Sequence, residues 1–184
     1  MTLFLITAPS GVGKTTLAHE LESAGYWKEC ISHTTRPMRN GEVDGQTYYF
    51  ITKEEFKKMY DNGEFAEHVE YDGNFYALSK KEINRVMEKY GNAFAIVEYN
   101  GYTQMKKLYP EAVGIFLWAT KEECMINMLS RGDSLESANN RIAKYEEEIK
   151  NKDKYDYVIR NIQGKFVKTC HILISIVKQH EKSK

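Results

Sequence analysis

The stretch Ala8-Pro9-Ser10-Gly11-Val12-Gly13-Lys14-Thr15 directly follows an apolar run, Thr2 to Thr7, and opens a helical pattern that continues to Ala24. A strand, a glycine-bearing loop and a helix in that order are what a phosphate-binding loop requires. Gly11 and Gly13 let the backbone curl so that successive N–H groups point at a polyphosphate, and the helix start adds its positive dipole end. Ser10, Gly11, Val12, Gly13, Lys14, Thr15 and Thr16 are therefore the candidates for wrapping a polyphosphate. Lys14 reaches the β- and γ-phosphates, and the Thr15 hydroxyl is a ligand for Mg²⁺. Ala8 stands where the strict pattern begins with glycine.

The rest of the chain alternates strand-like and helical segments. Strands are expected at Asn92–Glu98, Val113–Ala119 and Tyr157–Ile159, and helices at Tyr102–Tyr109, Lys121–Ser130, Ser137–Asn151 and Lys165–His180. Such alternation argues for an α/β fold, a parallel sheet covered by helices, with its ligand at the edge where the strands end. The region from His33 to Leu78 breaks the alternation. Its glycines, the cluster Tyr48-Tyr49-Phe50 and one short helix at Lys53–Asn62 read as a small, mostly-β insertion. The polar segment Arg131–Asn140 reads as a mobile connection between helices, and the tail from Gln179 to Lys184 as frayed.

Lys plus Arg and Asp plus Glu both number 26, which removes the electrostatic case for a nucleic-acid partner and makes any phosphate site local. No apolar run is long enough to cross a bilayer, and no signal peptide is evident, so a cytoplasmic protein without a membrane partner is expected. Cys30, Cys124 and Cys170 lack metal or disulfide spacing and read as reduced structural thiols. The histidines show no ligand spacing, and Glu146-Glu147-Glu148 reads as a solvated helix face.

Two motifs within the insertion say what receives the phosphoryl group. Ser32-His33-Thr34-Thr35-Arg36-Pro37-Met38-Arg39-Asn40-Gly41-Glu42 with Tyr48-Tyr49-Phe50, and Phe65-Ala66-Glu67-His68-Val69-Glu70-Tyr71-Asp72-Gly73-Asn74-Phe75-Tyr76, closely resemble the acceptor signature of guanylate kinases. The resemblance extends from the phosphate loop to Tyr155-Asp156-Tyr157-Val158-Ile159-Arg160-Asn161. Arg36 and Arg39 can converge as two planar forks on a monophosphate. The resemblance adds the hydroxyls of Tyr48 and Tyr76 on the same oxygens and that of Ser32 at the guanine O6 edge. Glu67 is the base reader, because a carboxylate accepts two parallel hydrogen bonds from guanine and adenine lacks both donors.

The resemblance further implies a lid at about residues 127–141 whose arginines, here Arg131 and Arg141, fold over ATP, and an Asn161 near the adenine. The expected division is a core of residues 1–32 and 79–184 around an insertion of residues 33–78. Glu98 is the candidate second Mg²⁺ ligand, with Glu98-Tyr99-Asn100 standing where the family has Asp-x-Asp, so Glu98 and Asn100 join the acceptor side. The chain departs from the family in other places too. Leu78 replaces a hydroxyl residue after Tyr76, with Ser79 one position late, and Asn127 replaces a third lid arginine.

The expected activity is transfer of the γ-phosphoryl of ATP to GMP or dGMP with Mg²⁺, Lys14, Arg39, Arg131 and Arg141 carrying the catalytic charge. A monophosphate kinase with altered base preference and a non-catalytic protein-binding module are the alternatives.

Overall fold

In the computed structural model, which describes residues 1–182, the opening apolar run becomes strand β1 (Thr2–Thr7), followed by the phosphate loop and helix α1 (Lys14–Ser23). A short strand β2 (Lys28–Glu29) leads into β3 (His33–Thr34), β4 (Tyr49–Phe50), α2 (Lys53–Asp61), β5 (Phe65–Tyr71), β6 (Asn74–Ser79) and α3 (Lys80–Tyr90). The chain then alternates through β7 (Asn92–Ile96), α4 (Tyr99–Leu108), β8 (Val113–Trp118), α5 (Lys121–Ser130), α6 (Leu135–Ile142), α7 (Tyr145–Ile149), β9 (Tyr157–Arg160) and α8 (Phe166–Lys182).

β1 is nearly all apolar because it is buried on both faces, as a central parallel strand must be. It pairs with β7 and β8, and the main sheet runs β2-β7-β1-β8-β9 with every pair parallel. Its side chains alternate between two layers. Phe4 and Ile6 join Leu17, Leu21, Met128 and Leu173 on one face, and Leu3 and Leu5 join Ile83, Val86, Tyr102 and Met105 on the other. The phosphate loop, Glu98, Thr120 and Asn161 all follow the carboxyl ends of these strands, so the site forms along one sheet edge.

The insertion is a second sheet, β4-β3-β6-β5, in which β3 pairs parallel with β4 and the pairs β3–β6 and β5–β6 are antiparallel. β5 and β6 form a hairpin through Asp72 and Gly73, both at positive φ (51° and 69°), the mirror-image turn that matches strand twist. Three sequence expectations change here. The chain forms an additional helix over Lys80–Tyr90, started by the Ser79 hydroxyl on the Glu82 N–H. The predicted mobile connection 131–140 is largely the helix α6, because the Ser134 hydroxyl accepts from the Ser137 N–H and starts it three residues past Arg131. The single helix expected over 137–151 is broken at Ala143 and Lys144 into α6 and α7. Residues 179–182 continue α8, and the rest of the tail lies outside the described residues. Among the described residues no helix is long and apolar enough to cross a membrane. All three cysteines are free and buried, and burial raises each thiol above its ordinary value.

Candidate active site

The phosphate loop takes its shape from two left-handed glycines, Gly11 at φ 84° and Gly13 at φ 89°. A Cβ on Gly11 would sit 2.4 Å from the Cys124 carbonyl oxygen, so only glycine lets the loop lie against α5. The Asn127 amide donates to the Gly11 carbonyl and the Asn161 amide to the Val12 carbonyl, both at 2.8 Å. α1 starts at Lys14 with no side-chain cap and no acidic residue in its first turn, which leaves its N–H groups and dipole open to an anion. Burial pushes the partly buried Lys14 amine below its ordinary value. Glu148 and Glu98 oppose that shift, and Arg141 and Arg131 add to it. Thr15 and Thr16 are exposed beside it.

Arg131 and Arg141 are brought together on one carboxylate. Arg131 grips Asp133 through Nε at 3.2 Å and Nη2 at 2.6 Å, and Arg141 reaches the same group at 3.4 Å. Arg141 Nε also donates to the Ser10 hydroxyl at 3.3 Å, tying α6 to the phosphate loop. Ser10 and Arg141 line a cavity of about 680 Å³ together with Tyr71, Glu98, Lys144 and Glu148. The Lys144 ammonium lies 5.5 Å from the ring centre of Tyr71, at the tip of the insertion hairpin, so α6–α7 and the insertion already meet across it. Glu98 is exposed at the N-cap of α4 and makes no side-chain cap bond. Glu148 is half-buried, one of its oxygens is sealed from solvent with no hydrogen-bond partner among the described residues, and burial together with Glu98 raises its carboxyl to about 7.

On the acceptor side, Arg36 packs with Tyr48 and Tyr76. Its guanidinium is 5.7 Å from the Tyr48 ring centre, and the two tyrosine rings lie 5.9 Å apart. Glu67 is only 7% exposed, opposite Leu78 in the β5–β6 register. Its carboxylate lies against α4, where a Cβ on Gly101 would fall 2.8 Å from Oε2. Burial raises the Glu67 carboxyl to about 7, against the pull of the Leu78 N–H, and Glu98 adds to the rise. Ser32 lines a neighbouring cavity of about 400 Å³ with Thr15, His19, Glu29 and Tyr48.

The guanylate kinase family model matches residues 1–180. The chain belongs to the guanylate kinase family. It is 39% identical to a guanylate kinase of Shewanella violacea over 86% of this chain and 79% of that protein. It is 38% identical to one of Lactococcus lactis over the same two shares. The crystal structure of guanylate kinase from Anaplasma phagocytophilum superposes with a TM-score of 0.73 at 27% identity, covering all of this chain and 87% of that one.

Several of the expected site residues have partners that the motifs do not announce. Arg36 and Arg39 are both held by Glu42, Arg36 through its side chain and Arg39 through its backbone. Gly41, at φ 85°, turns the chain back so that Glu42 takes both ends of the Arg36 guanidinium at 2.6 and 3.0 Å and the Arg39 N–H at 2.7 Å. The Arg39 side chain stays exposed. Ser79, one position late for the hydroxyl that Leu78 does not offer, accepts the Glu82 N–H as the cap of α3 and is 4% exposed. Asn100 sits exposed in the first turn of α4, which starts at Tyr99 and not at Tyr102. Asn127 and Asn161 both hold the phosphate loop.

Sequence reasoning misses Glu42, Asp133, Glu148 and Gly101 as site residues. The signal for Glu42 is the Gly41 turn between it and the arginines. For Glu148 it is Tyr145 and Ile149, whose spacing turns that residue inward and not onto a solvated face. The histidines lack ligand spacing along the chain, yet His19, Glu22 and Glu29 bring ligand atoms within 4.8 Å. Those groups are paired already, Glu22 with Lys28 and Glu29 with His19.

Proposed function

We propose that this chain transfers the γ-phosphoryl of ATP to GMP or dGMP in the cytoplasm. The observation that carries the reading is Glu67, a carboxylate buried in the insertion sheet with no cation bearing on it among the described residues, in a chain whose main sheet carries a phosphate loop at its carboxyl edge. An ionised carboxylate there pairs with the N1–H and N2 amino group of guanine, and adenine would leave it buried and unpaired. Arg36, oriented by Glu42 and flanked by Tyr48 and Tyr76, binds the acceptor phosphate, Arg39 joins it from the surface, and Ser32 supports the base. The acceptor phosphate is itself the nucleophile, so no side chain need remove a proton. What the protein supplies is position and positive charge around the oxygens being transferred, from the loop N–H groups of Ser10 to Thr16, from Lys14, and from Arg131 and Arg141.

The segment from about residue 131 to 141 acts as the lid that excludes water. Thr15 and Glu98 are the residues that would hold Mg²⁺. The donor set there is all oxygen, and the unpartnered Glu148 oxygen in the cavity shared with Glu98 suits a hard cation and its waters. When bound, the ion neutralises charge on the phosphates. A coupled ADP-release assay over GMP, dGMP, AMP, CMP and UMP tests the reading: a guanine nucleotide should be the best acceptor, and Lys14→Ala should lose about a hundredfold or more in kcat. Faster turnover with AMP, CMP or UMP than with GMP would overturn it.

A further inference from the structure

The position at which the family resemblance leads one to expect a third lid arginine is Asn127, and its side chain is directed at the phosphate loop. Its amide donates to the Gly11 carbonyl at 2.8 Å, and one peptide further on Asn161 donates to the Val12 carbonyl at 2.8 Å. The two residues come from different elements, one from α5 and the other from the loop after β9. Both line a cavity of about 330 Å³ with Gly11, Gly13, Thr16, Arg131, Ile162 and Phe166. No peptide in the described chain is cis, and in a trans peptide the C=O and the following N–H point in opposite directions. Holding the Gly11 and Val12 carbonyls outward therefore turns the Val12 and Gly13 N–H groups inward. The Val12 N–H crosses the loop towards the Pro9 carbonyl at 3.4 Å. The Gly13 N–H is left for the phosphates.

We infer that Asn127 is a positioning residue, one half of a two-point amide clamp with Asn161 that fixes the phosphate loop in its anion-binding shape. The inference rests on the reading of the loop as the ATP site. The clamp answers a difficulty specific to glycine-bearing loops. Gly11 and Gly13 are in left-handed conformations that glycine adopts as readily as others, so nothing in their own geometry prevents the peptides between them from rotating when no anion is bound. Two donors on successive carbonyls remove that freedom before ATP arrives, which lowers the ordering entropy of binding. Packing of Gly11 against the Cys124 carbonyl, one turn before Asn127 on α5, places the loop where the short asparagine reaches it. The residue thus gives up a charge near the transferred phosphoryl and contributes preorganisation.

The test is isothermal calorimetry of ADP and of GMP on the whole chain, with thermal unfolding beside it. Asn127→Leu keeps the side chain's size and removes the donor without adding charge. It should raise the Kd for ADP about tenfold, leave the Kd for GMP within twofold and leave Tm within a few degrees. Asn127→Gln, which restores an amide, should recover most of the ADP affinity. In a ¹⁵N spectrum of the free protein the Gly13 amide should broaden or move in the leucine variant. ADP binding by Asn127→Leu equal to the parent's overturns the inference, as does equal weakening of ADP and GMP with a large loss of Tm, which marks a merely structural side chain. A parent that binds no ADP and phosphorylates no nucleotide overturns the ATP-site reading as well. The parent's own binding and turnover therefore separate the two failures.

Discussion

Glu67→Gln separates what this carboxylate does for recognition from what it does to stability. Burial raises the Glu67 carboxyl from its ordinary 4.5 to about 7, and at about 1.4 kcal/mol per tenfold the gap is worth about 3 kcal/mol. Below pH 4.5 folded and unfolded chains both hold the proton. As pH rises towards 7 the unfolded chain releases it first and the folded chain keeps it, so the unfolded state gains. Above 7 the full penalty bears on the fold. Glutamine has nearly the same shape, still accepts from the Leu78 N–H and carries no charge, so the variant should match the parent in Tm at pH 4.5 and exceed it at pH 8. With about 2–4 °C per kcal/mol for a chain of this size, the excess should be about 6–12 °C.

The same substitution should damage the reaction. Only the ionised carboxylate accepts from both guanine donors, and the ionised share of Glu67 rises about tenfold between pH 6 and 8 around a pKa of about 7. The parent's kcat/KM for GMP should climb accordingly, and the variant should lose the 1–3 kcal/mol that a bidentate contact supplies, or about 5- to 150-fold. Protonation of the GMP phosphate near pH 6 affects both proteins and cancels in their ratio. Differential scanning calorimetry at the two pH values and initial rates across the range are the assays. Equal Tm at pH 8, or a parent-to-variant rate ratio that stays flat from pH 6 to 8, would refute the reasoning.

Ser79→Ala should lower stability by about 1 kcal/mol through loss of the α3 cap and leave the KM for GMP unchanged, as denaturant titration and steady-state kinetics would show. Leu78→Ser places a hydroxyl beside Glu67 at a position only 1% exposed. Tm should fall, and the KM for GMP should fall by up to about tenfold. Glu148→Gln removes the charge that does most to keep Lys14 protonated, so the alkaline limb of the kcat–pH profile should move to lower pH, and a superimposable limb would sever the two residues.

What is legible in the sequence is whatever local chemistry dictates. The loop at Ala8–Thr15 announces itself because strand, glycines and helix are contiguous, and β1 and α5 match the expected bounds because apolar runs and the Thr120–Glu123 capping box mark them. α3 is hidden because Ser79, its cap, also reads as a displaced hydroxyl for the base. The Arg36–Glu42 pair, the clamp of Asn127 and Asn161, and the inward turn of Glu148 are relations between segments that fold together. Asn161 and Val12 stand 149 positions apart, beyond any local window of sequence. The residue types at the acceptor site follow from the motifs, and their mutual geometry depends on how a Gly41 turn and two sheets come together.

That separation also bears on the order in which the molecule becomes competent. β1 lies in the middle of the main sheet, and its neighbours are β7 and β8, so the segment made first waits for partners from the second half of the chain. The loop that follows it receives one hold from α5 and the other only when Asn161 arrives behind β9. Such long-range pairing is slow to close. Nascent protein that carries the whole phosphate loop but not yet the segment after β9 therefore lacks the Asn161 hold, and the loop's fixed shape is a late product of folding.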